Sequence, residues 1–192
     1  MNRPAIFFDR DNTLIACHGY LGDPAKVVLV PGAASAIAAL RTLGFAIVVI
    51  SNQSGVARGL FDEAAMRAVN ARMSQLLLKE NPQAIIDAHE FCPHHPQAPL
   101  AAYRVDCDCR KPKPGMLLKA ARELQLDLAR SWLVGDTPRD IDAGAAAGCR
   151  TVLFTDASLR TSPAAGDQGA ASPDYVVHSL NEAVTVIRAR SA

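Results

Sequence analysis

Residues 5–14 read AIFFDRDNTL, an apolar run that ends directly in two aspartates. The apolar residues 5–8 predict a buried strand, because a strand covered on both faces is apolar at every position. Asp9 and Asp11 follow two residues apart, and on an extended segment such residues project to the same side. The segment therefore predicts a strand that carries a pair of carboxylates at its carboxyl end.

The rest of the chain alternates strand-like runs with helix-like stretches. Continuous apolar runs predict further strands at 45–50, 88–91, 132–134, 151–154 and 175–177. Helical spacing predicts helices at 32–43, 62–79, 115–124, 140–147 and 180–188. This order predicts an α/β fold, a Rossmann-like three-layer α/β/α sandwich with a mainly parallel central sheet and no separate cap domain.

Length and composition suit one globular domain. The chain has 192 residues, of which 49% are hydrophobic and 20% charged, and we expect residues 1–192 to form a single domain. A formal net charge of +1 and only 5% aromatic residues argue against a dedicated nucleic-acid binder. No apolar run approaches the roughly 18 residues of a membrane span and no signal peptide is apparent, so we expect a cytoplasmic monomer with no membrane partner. Residues 156–173, rich in Ala, Gly, Ser and Pro, are expected to form a flexible loop.

Polar residues cluster where the predicted strands end. They lie in four segments, at 9–13, 51–54, 110–114 and 135–140. Ligands of open α/β sheets bind outside the carboxyl ends of the strands, so we expect these segments to converge on one site. For each segment alone, capping is an equal alternative, with Asp9 and Asp11 capping a turn and Asp136 capping a helix. All the segments together favour a site.

These residue types suit phosphoryl transfer through a covalent intermediate. One carboxylate can attack phosphorus, while its neighbour protonates the leaving oxygen and later activates water. Asp9 and Asp11 would converge with Asp136 and repel it unless a cation lay between them, which favours Mg²⁺. Lys111 and the Ser51 hydroxyl can stabilise charge on the transferred group.

The same residues resemble the motifs of the haloacid dehalogenase superfamily of phosphatases. The resemblance is carried by residues 8–14 (FDRDNTL), Ser51-Asn52, Lys111 and Gly135-Asp136. It implies that Asp9 is the nucleophile and Asp11 the general acid/base. It also implies that Mg²⁺ is held by Asp9, the backbone carbonyl of Asp11 and Asp136, and that Ser51 and Lys111 bind the phosphoryl group. For Asp140 two interpretations stay open, a supporting residue behind the site and a carboxylate on a helix surface, of which the second is favoured.

A second group of residues points to a structural metal. Its members are three cysteines and one histidine at the two ends of a Pro-rich loop, at about residues 92–109: Cys92, His94, Cys107 and Cys109. They can fill a tetrahedral shell with no open position, which predicts structural Zn²⁺. The alternative, that the thiols only pack in a core, fits this polar segment less well. His89 and His95 are expected to be surface or supporting residues, and Cys149 an ordinary small residue.

The loop also resembles one branch of the superfamily, which contains the heptose 1,7-bisphosphate 7-phosphatases and the histidinol-phosphatases. The resemblance to the heptose enzymes is carried by CPHHPQ (92–97), CDCRKP (107–112), SNQSGVARG (51–59) and HGY (18–20), and it runs from about residue 5 to residue 154. It implies a small sugar bisphosphate substrate, of which the C7 phosphate is removed, on a route to lipopolysaccharide or another heptose glycan. By this resemblance the substrate contacts are Cys17, His18, Gly19, Tyr20, Ser51, Asn52, Gln53, Ser54, Arg110 and Lys111, with Arg110 on the distal phosphate.

Three positions depart from the family pattern. Asn12 replaces a glycine, and since Asn tolerates unusual backbone angles we expect the turn to persist. Ser51 replaces a threonine and keeps the hydroxyl, whereas Thr137 replaces a lysine of some relatives. Three other functions stay open: histidinol-phosphatase, a catalytically inactive zinc-organised interaction module, and a phosphatase of nucleic-acid ends.

Overall fold

The computed structural model describes residues 2–17, 19–156 and 170–191, and at its centre lies a parallel sheet of six strands. The strands are β1 (Ala5–Asp9), β2 (Ala46–Asn52), β3 (Ala88–Cys92), β4 (Trp132–Gly135), β5 (Arg150–Phe154) and β6 (Tyr175–Val177). Their order across the sheet is β3-β2-β1-β4-β5-β6, and every pair is parallel. The predicted fold class and all the predicted strands are confirmed.

The described residues form six α-helices, five between strands and one after β6. They are α1 (Ala33–Thr42), α2 (Ser54–Ala57), α3 (Glu63–Glu80), α4 (Gly115–Leu124), α5 (Pro138–Ala146) and α6 (Leu180–Ser191), with short 3-10 turns at Pro24–Lys26, Ala101–Tyr103 and Leu128–Arg130. The sequence did not predict α2 or the 3-10 turns, because segments of three or four residues are too short to show a hydrophobic period. The other helices match their predicted ranges to within three residues at each end.

The two faces of the sheet bury different residues of the same strands. Along β1, Ile6 and Phe8 pack against a cluster formed with α1, α3 and α6, whereas Ala5 and Phe7 pack against α4 and α5. All of these side chains are fully buried. A strand covered on both faces needs apolar residues at every position, which is why β1 shows no alternation in the sequence.

The strand order fixes where a site can form. From β1 the chain moves through β2 to β3 on one side and then returns to β4 on the other side of β1. The connections therefore diverge at β1 and leave a crevice at its carboxyl end. That end carries Asp9 as the last residue of the strand.

Two expectations fall partly outside the described residues. Most of the loop expected at 156–173 lies in 157–169, which the structure does not describe. The single domain expected for residues 1–192 stays a prediction. Within the described ranges, no helix combines the length and the apolar character that crossing a membrane requires.

The start of β3 depends on one carboxylate. Asp87 Oδ2 accepts hydrogen bonds from Ile47 N and from Arg41 Nη1, both at 2.7 Å. Asp87→Ala leaves the buried amide of Ile47 without this acceptor, and we expect a loss of about 1–3 kcal/mol in the free energy of unfolding, measured with urea. Asp87→Asn keeps an acceptor and should cost less than half as much. Equal stability of Asp87→Ala and the parent protein would contradict this account.

Candidate active site

A buried lysine joins three segments at the carboxyl end of β1. Lys111 Nζ lies 2.6 Å from Asp9 Oδ1 and 2.6 Å from Asp140 Oδ1, and it donates to the carbonyl of Ile50 at 3.2 Å. Lys111 and Asp140 are almost fully buried, and Asp9 is 7% exposed. Burial lowers the pKa of Lys111, but the charges of Asp140 and Asp9 outweigh this effect and raise it above the ordinary value. The ammonium therefore stays charged inside the site.

The expectation that Asp140 lies on a helix surface is wrong. Asp140 is 1% exposed, and its Oδ2 accepts hydrogen bonds from Thr137 N at 3.0 Å and Thr137 Oγ1 at 2.6 Å. Thr137, rather than Asp136, is the N-cap of α5, and Thr-Pro-Arg-Asp forms a capping box there. The first turn of α5 faces the sheet edge, and a Cβ at Gly135 would collide with Asp140. The T-x-x-D spacing was a readable signal for this cap.

Asp11 lies beside the end of β2. Its Oδ2 accepts a hydrogen bond from Gln53 Nε2 at 2.8 Å and lies 3.4 Å from Ser51 Oγ, and Gln53 Nε2 also donates to Ser51 Oγ at 2.6 Å. The turn directly after Asp11 is left-handed at Asn12, with φ at 57°, as its tolerance of such angles predicted. Asn12 Oδ1 accepts from the backbone N of Cys17 at 3.0 Å, which holds the turn closed.

The backbone of Lys111 is fixed by the amide of Asn52. Asn52 Oδ1 accepts from Lys111 N at 3.0 Å, and Asn52 Nδ2 donates to Lys111 O at 3.0 Å. The pair of bonds ties the end of β2 to the loop before α4. Asn52 therefore positions Lys111, a role that the sequence did not reveal.

The convergent residues surround a cavity of about 490 Å³. Of the predicted substrate contacts, eight line this cavity: Gly19, Tyr20, Ser51, Asn52, Gln53, Ser54, Arg110 and Lys111. Cys17 does not line it; the side chain is buried, and its Sγ donates to Gly19 O at 3.1 Å. His18 lies outside the described residues. The predicted role of these residues in binding stays a prediction.

Positive charge gathers on one part of the cavity wall. Arg110 is joined there by three residues that the sequence analysis did not assign to the site, Arg58, Arg139 and His95. Burial lowers the pKa of His95, and the nearby charges of Arg110, Arg58 and Arg139 lower it further. Arginines scattered through loops and helix starts show no pattern in the sequence, so only the fold reveals that they are neighbours.

Negative charge gathers at the other part, on the carboxyl ends of β1 and β4. Burial is the largest cause that raises the pKa of Asp9 to about 7 and that of Asp136 to about 8; neighbouring carboxylates, Asp140 among them, also raise both values, and Lys111 opposes the rise. Carboxylate oxygens of Asp9, Asp136 and Asp140 lie within 4.8 Å of one another. The ammonium of Lys111 can balance only one of these three carboxylates. The excess negative charge and the oxygen ligands fit a hard divalent cation. Asp140 already binds Thr137 and Lys111, which leaves Asp9 and Asp136 as the available carboxylate ligands.

The four residues of the predicted zinc site come together at the end of β3. The Cys107 Sγ lies 3.4 Å from the Cys92 Sγ and 3.2 Å from the Cys109 Sγ, and His94 Nδ1 lies 3.6 and 3.8 Å from the sulfurs of Cys109 and Cys92. The cysteines are unpaired by disulfides. The two nitrogen–sulfur separations are close to the edges of a tetrahedron around Zn²⁺, whereas the two sulfur–sulfur separations are shorter than the roughly 3.8 Å that Zn–S bonds of about 2.3 Å give. The hydrogen bond with Cys92, more than any other contact, lowers the pKa of Cys109 to about 5, which favours a thiolate.

The zinc-site candidates adjoin the cavity through Arg110. Arg110 follows Cys109 directly, and its Nη1 donates to the carbonyl of His94 at 3.1 Å. Burial lowers the pKa of Arg110, although the group stays a cation at neutral pH. The four-residue cluster thus fixes the guanidinium on the positive wall of the cavity.

Comparison with known proteins gives consistent matches. Residues 108–183 match the HAD-hydrolase-like family. The chain is 38% identical over 187 residues to the D-glycero-beta-D-manno-heptose-1,7-bisphosphate 7-phosphatase of Yersinia pestis, covering 97% of this chain and 96% of the relative. It is also 38% identical over 185 residues to the enzyme of the same name from Escherichia coli K12, with 96% and 94% covered.

A solved structure extends the match to the whole fold. The D,D-heptose 1,7-bisphosphate phosphatase of B. bronchiseptica, complexed with magnesium and phosphate, superposes with a TM-score of 0.81 at 32% identity, covering 97% of this chain and 99% of that one. Identity of this extent over nearly the full length of the relatives establishes the family. The chain belongs to the HAD-like hydrolases and is one of their phosphoric monoester hydrolases.

Proposed function

We propose that this phosphatase removes the C7 phosphate of D-glycero-D-manno-heptose 1,7-bisphosphate and releases heptose 1-phosphate. The observation that carries the proposal is the lining of the cavity, which combines Asp9 and Lys111 with three arginines, Arg58, Arg110 and Arg139, whose charges all act on His95. A substrate with two phosphates would put the reacting one beside Asp9 and the distal one on the arginines. The names of the relatives support the same substrate.

The covalent step is assigned to Asp9. An Asp9 carboxylate oxygen attacks phosphorus while the bond from phosphorus to the C7 oxygen breaks, and Asp11 gives its proton to that leaving oxygen. Asp11 then takes a proton from water, whose oxygen attacks the phosphorus, and the bond from phosphorus to Asp9 breaks. Lys111 stabilises the negative charge on the phosphoryl oxygens from its place 2.6 Å from Asp9, and the Ser51 hydroxyl donates to the same group.

Mg²⁺ is proposed for the acidic part of the cavity, where Asp9, Asp136 and the Asp11 carbonyl would hold it. When bound, it would neutralise carboxylates and phosphoryl oxygens and orient the phosphate for attack. Three carboxylates against a single ammonium support this assignment. Zn²⁺ is proposed for the cluster of Cys92, His94, Cys107 and Cys109, in a structural role.

The positive wall also separates this function from histidinol-phosphatase. Histidinol phosphate carries a cationic amine, and the three arginines would repel it. An inactive interaction module would have no need of a buried Lys111 between two carboxylates, because such a group costs desolvation free energy. A sugar bisphosphate therefore accounts best for the charges.

The first prediction concerns the nucleophile and the substrate. We expect Asp9→Asn to lower kcat by at least about 10³-fold in a phosphate-release assay with Mg²⁺, because amide oxygen is a poor nucleophile. Asp23→Asn, at an exposed turn, is the matched control and should keep full activity. Turnover of Asp9→Asn near that of the parent protein would contradict the mechanism.

The same assay compares kcat/KM on both anomers of the heptose bisphosphate and on histidinol phosphate. We expect kcat/KM to be at least about 100-fold higher on a heptose bisphosphate than on histidinol phosphate. Arg110→Met should reduce this ratio by at least about 10-fold, by raising KM for the bisphosphate. A preference for histidinol phosphate would overturn the substrate and the role of Arg110 while leaving Asp9 in place.

The second prediction concerns pH. The pKa of Asp136 is raised from 3.8 to about 8 in the folded protein, so between these values the folded state holds a proton that the unfolded state has lost. Without divalent cations, the free energy of unfolding should therefore fall as pH rises from about 5 to 8.5. Asp136→Asn does not titrate, and we expect it to be more stable than the parent protein by about 2 kcal/mol at pH 8.5, with a smaller difference at pH 5. Urea unfolding measures both.

Added Mg²⁺ should make the parent protein the more stable of the two. The ion stabilises the parent protein by binding to it, whereas Asp136→Asn lacks one of the proposed ligands. A stability difference that is the same at pH 5 and pH 8.5, or a Mg²⁺ effect of equal size in both proteins, would contradict the assigned charge state of Asp136.

The third prediction concerns zinc. We expect Cys109→Ser to reduce bound zinc, measured by elemental analysis, from one per chain to well below that, and to lower Tm by roughly 5 °C or more. KM for the bisphosphate should rise, because Arg110 rests on the His94 carbonyl. Cys149→Ser, which removes a thiol outside the cluster, is the matched control and should keep its zinc. Full zinc content in Cys109→Ser would refute this ligand set.

A further inference from the structure

Arg10 is a buried guanidinium that the mechanism above does not use. It is 0% exposed, although it lies between the two aspartates of the first motif. It donates to Asp11 through three hydrogen bonds, from Nη2 to both carboxylate oxygens at 3.1 and 3.2 Å and from Nε to Oδ1 at 3.2 Å. Its remaining amino group, Nη1, donates to Asn70 Oδ1 at 2.9 Å.

Asn70 interrupts the apolar face of α3. Its neighbours on that face are Met66, Val69, Met73 and Leu77, all fully buried, and Asn70 itself is 7% exposed. Its Nδ2 contacts the sulfur of Met66 at 3.4 Å. A buried amide is tolerated when it has hydrogen-bond partners, and the charged partner here is Arg10.

We propose that Arg10 is a positioning residue for Asp11, and that Asn70 fixes Arg10 in turn from the interior of the fold. The proposal rests on the proposed function, in which Asp11 moves the proton. It extends the site inward by two residues that do not line the cavity.

The carboxylate of Asp11 is held from two directions. Gln53 and Ser51 contact Oδ2 from the end of β2, while Arg10 spans both oxygens. A planar guanidinium that contacts both oxygens fixes the plane of the carboxylate as well as its distance. Asp11 therefore meets the leaving oxygen in a preset orientation, which contributes to kcat and not to substrate binding.

The cost of burial supports a functional role over a stabilising one. Burying an ion pair costs desolvation free energy that its attraction repays only in part, so apolar residues would stabilise the same volume as well. His89 lies near enough for the Arg10 charge to act on it: burial and then Arg10 lower the pKa of His89 to about 4, so it is neutral at working pH. The ion pair of Arg10 is with Asp11.

The test separates kcat from KM in a small set of variants. We expect Arg10→Met to lower kcat by about 10- to 100-fold with KM within about twofold, and Arg10→Lys to recover part of the loss, because Lys keeps the charge but not the fork. Arg67→Met is the matched control: it removes an exposed cation from α3 that pairs with Glu63, and it should keep the parent kcat. Circular dichroism, Tm and zinc content confirm that each variant is folded.

Asn70→Leu keeps the volume of the side chain and removes the acceptor, and we expect a loss of about 3- to 10-fold in kcat. In the double variant Arg10→Met/Asn70→Leu the losses should not add, because Asn70 acts through Arg10. If Arg10→Met does not fold, the same cycle with Arg10→Lys tests the coupling. An unchanged kcat in folded Arg10→Met, a loss confined to KM, or fully additive losses would each overturn the proposal.

Asp11→Asn distinguishes this proposal from the proposed function. If Asp11→Asn keeps the parent kcat, the proposed acid/base role fails, and the positioning role fails with it. If Asp11→Asn loses kcat while Arg10→Met does not, only the positioning role is refuted. We expect Arg10→Met to have no further effect on kcat in the Asp11→Asn background.

Discussion

The buried ammonium of Lys111 is the interaction on which the arrangement of the site depends. It brings together the end of β1, the loop before α4 and the first turn of α5, which are distant in sequence. An ammonium in this position depends on its partners Asp9 and Asp140, since an unpaired buried charge costs several kcal/mol. Folding of the three segments and assembly of the phosphoryl site are therefore one event.

Much of the fold and of the acidic part of the candidate site was predictable from the sequence. Parallel strands have continuous apolar runs, and their carboxyl ends meet at one edge of the sheet. A carboxylate directly after such a run, such as Asp9, is therefore predicted to lie at that edge. The pairs Cys92/His94 and Cys107/Cys109 were readable for a similar reason, because metal ligands must be close in space and here lie close in sequence.

The rest of the site was not readable, because it depends on packing between helices and strands. Asp140 looks like a surface carboxylate until the first turn of α5 is placed over Gly135. Asn70 interrupts the apolar face of α3, and its hydrogen bond with Arg10 accounts for a polar residue there. In both cases a buried polar group is explained only by its partner, and single-sequence patterns do not show partners.

The register between β2 and β3 has a consequence for engineering. Asn52 pairs with Cys92 across these strands, and Gln53 N donates to Cys92 O at 2.8 Å, so the sheet itself joins the zinc-site candidates to the residues around Asp11 and Lys111. The intervening loop, 95–106, is anchored at both ends by the candidate metal ligands. Because His95 lies in this loop and lines the cavity, exchanging the loop would change one part of the cavity wall. Grafting loops between these anchors is a direct route to phosphatases that accept other substrates.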